Sequence, residues 1–241
     1  MLGHPEAALA DTEHALKDAR EIGQAATLMT ALSIKSLTDI FCGKFPTAYV
    51  QSNEVVLLAD EKRAEMWKAF GLINKGWSLP LTEESSAAAQ MISSGIMAFR
   101  STAATWFVPL YLSQLAKVRG QVGELDDAWR SIGEAMTMIE ISKERVWEAE
   151  VNRIAGEIAL MPRDPDPGKA EKHFERALAV ARQQQAKSWE LRTATSLARL
   201  WRDQGKVKQA RELLAPVYGW FTEGFDTRDL KEAKALLNEL Q

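Results

Sequence analysis

The chain has 241 residues, of which 46% are hydrophobic and 26% charged, with a formal net charge of −3. This composition is that of an ordinary water-soluble domain, and the slight negative balance argues against general nucleic-acid affinity. With no run of about 18 apolar residues, no charged-then-apolar leader and a single cysteine, Cys42, the expectation is a cytoplasmic protein with no membrane span, disulfide, metal or cofactor.

In chain order, apolar periodicity predicts twelve helices in six pairs, with no segment alternating at the period of a strand. The first helix of each pair is expected to start near Pro5, Pro46, Thr82, Glu124, Pro167 and Val207. The second helices are expected near Gln24, Arg63, Thr102, Ser142, Ala186 and Thr227. Pro5, Pro46 and Pro167 suit helix starts, where the missing N–H is not needed. Thr82-Glu83-Glu84-Ser85 and Ser142-Lys143-Glu144-Arg145 read as N-termini with acid in the first turn. Pro109 and Pro216 fall inside the predicted helices and should kink them unless those helices start later. The segment from Pro162 to Gly168, with Asp164 and Asp166 between prolines, is the longest break.

A small residue recurs through the first helices: Ala8, Ala48, Ala88, Ala128, Ala170 and Ala210, in steps of 40, 40, 40, 42 and 40 residues. Five residues earlier stand Gly3, Gly43, Gly123 and Gly205, with Glu83 and Pro165 in the other two copies. Glycine there ends the preceding helix by taking a left-handed conformation. Seven residues after each alanine, on the same face, stand Ala15, Val55, Gly95, Ala135, Ala177 and Val217. The second helices carry Trp67, Trp106, Trp147 and Trp189, expected to pack between helices, with Gly76, Gly156 or Ala198 nine residues on. Self-similarity at this period marks a stack of helical hairpins.

The phrase Trp67-Lys68-Ala69-Phe70-Gly71 resembles the opening of a tetratricopeptide repeat, and Ala170 to Ala177 resembles that family's second-helix pattern. The period here is longer than the family's, and the tyrosine expected seven residues after the tryptophan is replaced by Asn74, Ser113, Ile154 and Ser196. The resemblance implies an all-α fold, a right-handed superhelix of antiparallel helix pairs over residues 1–241. The expected pairs are 3–43, 44–80, 81–121, 122–162, 163–205 and 206–241. It also implies a concave groove lined by the tryptophan helices. Projected from the landmark, that groove would present Glu65, Lys68, Leu72, Lys75, Phe107, Tyr111, Gln114, Arg145, Glu148, Asn152, Lys187 and Glu190. Its centre would be apolar and its flanks of mixed charge, suited to an extended peptide or a helix.

Residues 188–227, with Leu197-Ala198-Arg199-Leu200-Trp201 and Phe221-Thr222-Glu223-Gly224-Phe225, resemble the C-terminal tails of bacterial regulators that carry a class III adenylate or guanylate cyclase domain and an ATPase domain. The cyclase and ATPase motifs themselves are absent, so no catalytic activity carries over. The expected role is a non-catalytic interaction module whose partner is a protein or peptide, upstream domains of the same polypeptide included. A small-molecule sensor around Trp106, Phe107 and Tyr111 is the rival. A third reading is a homodimer through the first helix, whose apolar edge (Leu9, Leu16) has no upstream helix to cover it. Eight basic residues between Arg182 and Arg211 form either a docking patch for an acidic partner or a solvated helix face. Trp220 is among the tryptophans off the landmark that would anchor a partner if exposed.

Overall fold

The computed structural model describes residues 2–79, 85–161, 163 and 165–241. Among them are twelve helices and no strand: α1 (Pro5–Ile22), α2 (Ala25–Phe41), α3 (Phe45–Glu61), α4 (Glu65–Trp77), α5 (Ser85–Ser101), α6 (Val108–Gln121), α7 (Leu125–Ser142), α8 (Glu148–Ala159), α9 (Pro167–Gln183), α10 (Lys187–Asp203), α11 (Val207–Tyr218) and α12 (Arg228–Glu239). The architecture is a TPR-like α-solenoid. Each odd-numbered helix from α3 onward packs on the even helix before it and the even helix after it.

The periodic alanines are the reason the stack is tight. Ala48, Ala88, Ala128, Ala170 and Ala210 are fully buried, as are Val55, Ala135 and Ala177 one double turn later. At Gly95 a Cβ would lie 2.5 Å from Ile73 of α4, so α5 approaches closer than any side chain allows. Gly156 plays the same part in α8, where a Cβ would meet the Phe174 ring at 2.5 Å. The four glycines read as helix stops, Gly3, Gly43, Gly123 and Gly205, all have positive φ. A second left-handed position recurs at the turn inside each of the first five pairs: Gly23, Arg63, Ala103, Lys143 and Gln185. Four of the five are not glycine, so composition gave no sign of it.

Two helices start later than the periodicity predicts. α6 begins at Val108, which puts Pro109 in its first turn, where it needs no N–H. α7 runs through Ser142 and stops on left-handed Lys143, so Ser142 to Arg145 closes one helix and does not open the next. The predicted start at Thr82 to Glu84, and Pro162 and Asp164 in the break, lie outside the described residues. Pro216 stays inside α11, two residues before its end.

The landmark tryptophans divide. Trp147 and Trp189 are buried, whereas Trp106 precedes its helix and is 45% exposed. Behind them Phe70, Phe99, Phe107 and Tyr111 form a continuous ring cluster with centroids 5.4–6.3 Å apart.

The two ends of the stack meet. Gly224 donates its N–H to the Glu6 carboxylate at 2.7 Å, and Glu223 accepts from the Glu6 and Ala7 N–H groups of the first turn of α1. α1 has no side-chain cap of its own, so Glu223 supplies the missing acceptor from the other end of the chain. Gly224 sits at φ +77°, and a Cβ there would collide with the Pro5 ring. Phe41 packs edge-on against Trp189 at 5.4 Å, and His4 lies against Trp220. The outer face of α1 is still bare: Ala8 and Ala15 are exposed, whereas the expected edge residue Leu16 is buried with Leu32 and Val55. Leu16 is therefore a core position, and the uncovered stripe is the alanine one.

Candidate functional site

Because the first and last pairs touch, the second helices of all six pairs surround a common interior. A cavity of about 180 Å³ opens there. Every even helix contributes to its wall: Phe41 from α2, Trp77 from α4, Gln114 and Lys117 from α6, Glu150, Arg153 and Glu157 from α8, Arg192, Thr195, Ser196 and Arg199 from α10, and Asp229 and Glu232 from α12. On α8 and α10 these side chains recur at spacings of three and four, which is a single helical stripe.

The stripe is a closed ionic network. Arg153 bonds the Glu150 carboxylate at 2.7 and 2.8 Å and also contacts Glu157. Lys117 reaches Glu157 at 3.1 Å. Arg192 is the keystone: it bonds Asp229 at 2.5 Å, donates to the Phe41 carbonyl at 2.8 Å and lies 3.5 Å from Glu150. Its positive charge thus also faces the C-terminal end of α2, the favourable sign for a helix dipole. Arg199 and Arg228 both bond Glu232. Burial raises the Glu150 carboxyl, yet Arg153 and Arg192 outweigh it and hold Glu150 below the ordinary value. Burial also works against Glu157, but Arg153 and Lys117 bring it from 4.5 down to about 2. The guanidinium of Arg153 is in turn raised by Glu150 and Glu157 against its own desolvation.

A larger opening of about 750 Å³ leads off this chamber. It has Pro46, Tyr49, Leu79 and Val118 on its walls and shares Phe45, Trp77, Gln114, Lys117 and Arg228 with the chamber region. An apolar mouth therefore narrows into a charged interior.

Of the residues projected from the tryptophan landmark, Gln114 lines both spaces, and Lys75 stands beside the mouth with its Nζ 5.2 Å from the Tyr49 ring centre. The rest lie elsewhere. Tyr111 is fully buried and Phe107 nearly so, within the ring cluster that also fills the place proposed for a small-molecule sensor. Glu148 pairs with Arg145 and with Arg176 of α9, and Glu190 pairs with Lys187 and with Arg182 of α9. Asn152 donates to the Glu148 carbonyl and faces His173, also of α9. These side chains look sideways at the neighbouring helix and away from the chamber. Lys68 is tied to Asp60 at 2.6 Å, Glu65 is exposed in the first turn of α4, and Leu72 is half-buried.

The reason is rotational. Trp67 and Trp189 are the third residues of their helices, but Trp106 and Trp147 sit in the turns before theirs. One landmark thus meets the helices at different angles, at about 100° per residue. The missed residues, Glu150, Arg153, Glu157, Arg192 and Arg199, had one usable signal: charges at helical spacing on α8 and α10, where Val151, Ile154, Ala155 and Ile158 show the intervening positions to be core.

The basic stretch has the same explanation. Arg182, Lys187, Arg192, Arg199 and Arg202 are each within 3 Å of a carboxylate of this chain, and Lys206 and Lys208 are within 4 Å of one. The charge of the first five is answered internally, whereas the Lys208 side chain is 88% exposed and Arg211 reaches only the Leu240 carbonyl. Trp220 is 41% exposed beside the seam between the two ends.

No helix among the described residues is long and apolar enough to cross a membrane. No known family matches the sequence, and no curated protein does. Among solved structures the chain is similar to the apo form of RapI, with a TM-score of 0.69 and 15% identity over 98% of this chain and 79% of that one. That likeness concerns the path of the backbone, and it agrees with the TPR-like helical repeat fold that the period predicts.

Proposed function

We propose that this chain is a non-catalytic interaction module that takes a peptide, or the end of a partner's helix, through the mouth and toward the chamber. The observation that carries the reading is the continuity of the two spaces: apolar walls at Phe45, Tyr49, Trp77 and Val118, then Gln114, Lys117 and Arg228 at the junction. Apolar side chains of a peptide gain burial on the walls, while its backbone or a polar end finds hydrogen-bonding groups deeper in. The projected groove residues Lys75 and Gln114 belong to this route, and the six pairs would act as one binding unit. The likeness to cyclase–ATPase regulators makes an upstream domain of a signalling polypeptide one partner to try first.

The test is selection of binders from a random peptide display library, followed by measurement of their affinities. Trp77→Ala and Tyr49→Ala should each weaken the selected peptides by about tenfold or more, with helical content unchanged. Peptides that bind both variants as tightly as the parent would show that the mouth is not the entry route.

A further inference from the structure

A second, smaller cavity lies at the seam where the ends of the stack meet. Its volume is about 110 Å³. Phe41, Trp189, Phe221 and Leu230 make its apolar walls, and Arg192 and Asp229 form its polar border. Phe41 comes from the first pair, and the other three wall residues come from the last two. The cavity therefore exists only while the ring is closed.

We infer that the seam cavity is a binding site for a small, uncharged, single-ring aromatic molecule, and that its occupancy holds the ring shut. The size follows from the volume: at about 110 Å³ the cavity is smaller than the engineered apolar cavity of about 150 Å³ that accepts benzene, so a single six-membered ring is the largest guest it takes. The absence of charge follows from the border. Arg192 is already bonded to Asp229 and to the Phe41 carbonyl, so a charged guest would be desolvated without a counterion. Thr38 lines the cavity with its hydroxyl proton given to the Ile34 carbonyl, which leaves its oxygen to accept a hydrogen bond from a phenol-like hydroxyl.

The seam joins the ends through a small set of contacts. It is held by the Phe41–Trp189 contact, the Arg192 bond to the Phe41 carbonyl, the Glu6 and Glu223 carboxylates on opposed backbone N–H groups and His4 on Trp220. A ligand that binds only the closed form shifts that equilibrium by mass action. Phe41, Arg192 and Asp229 border both the seam cavity and the central chamber, so closure also fixes one wall of the chamber. That last consequence rests on the peptide reading above; the seam site does not.

The experiment needs no peptide. Phenol and benzene are titrated into the whole protein and followed by tryptophan fluorescence and thermal unfolding, with benzoate and benzylamine as charged counterparts and the bicyclic indole as a probe too large to enter. Saturable binding of phenol and benzene is expected, about tenfold or more tighter than the charged probes, with a rise in Tm. Ser188→Leu, which fills the cavity from a half-buried position, should abolish it. The Glu6→Ala/Glu223→Ala pair should weaken it by about tenfold with helical content unchanged, because the far wall withdraws. Absence of saturation at millimolar probe, equal binding of charged probes, or binding that survives Ser188→Leu would each overturn the site. Loss of peptide binding alone would leave it standing.

Discussion

Two surfaces of the same helices follow opposite rules. Between neighbouring helices the array is built from alanine and glycine at a fixed period, and at Ala48, Ala88, Ala128, Ala170 and Ala210 burial is complete. Around the central axis α8 and α10 turn inward Glu150 and Arg153, both buried, and Glu157 and Arg192, half-buried. The first surface stabilises by close approach, so almost any enlargement harms it. The second stabilises only while its charges remain matched, because each buried ion is costly without its partner. Stacking is therefore generic and repeated, whereas the interior is specific to each pair.

The largest effect should come from breaking the interior. Arg153 is 7% exposed and serves two carboxylates, so Arg153→Ala leaves Glu150 and Glu157 buried without their main counterion. Urea unfolding should show a loss of about 3–5 kcal/mol. Combining Arg153→Met with Glu150→Leu should recover most of that loss, since the mismatch and not the missing attraction is the cost. A double variant no better than the single one would place the stability in the ion pair itself.

Acid should sharpen the same contrast. The folded Glu157 carboxyl titrates at about 2 against an ordinary 4.5. Its folded-state value is depressed, so its contribution is fully present above pH 4.5 and disappears as the pH falls toward 2. Glu157→Gln should flatten the stability-versus-pH curve across that window, read by chemical unfolding at each pH. A variant curve parallel to the parent's would mean that Lys117 and Arg153 do not hold that carboxylate charged.

The two surfaces were unequally legible in the sequence. Ala48, Ala88, Ala128, Ala170 and Ala210 announce the stack because one neighbour contact is repeated every 40 residues or so, and repetition survives variation at any single site. The chamber depends on where each helix starts. The turns before α6 and α8 displace Trp106 and Trp147 from the helical frame of Trp67 and Trp189, so offsets counted from them start outside the helix and land on other faces. Glu148, projected from displaced Trp147, turns out to face α9; Glu190 faces α9 as well although Trp189 is in frame, because a position one residue after the tryptophan points at the neighbouring odd helix. The seam was least legible of all: Glu6 and Gly224 meet across 218 residues, and no local pattern encodes a contact made by the curvature of the whole array.

Enlarging the stacking surface should cost less than unbalancing the chamber, provided a neighbour is there to be displaced. Ala135 is fully buried where α7 packs against α6, and Ala135→Leu should cost about 1–3 kcal/mol by overpacking. Ala15 holds the same repeat position in α1 but is exposed. Ala15→Leu should change stability by no more than about 0.5 kcal/mol. The pair isolates the neighbour's contribution, because residue type, helix position and substitution are identical and only the facing surface differs. If both variants lose the same stability, the alanine is required by its own helix and the stacking account fails. If Ala15→Leu alone costs more than about 1 kcal/mol, the bare face of α1 is covered in solution. A second copy of the chain would then reveal itself by a loss that grows with protein concentration.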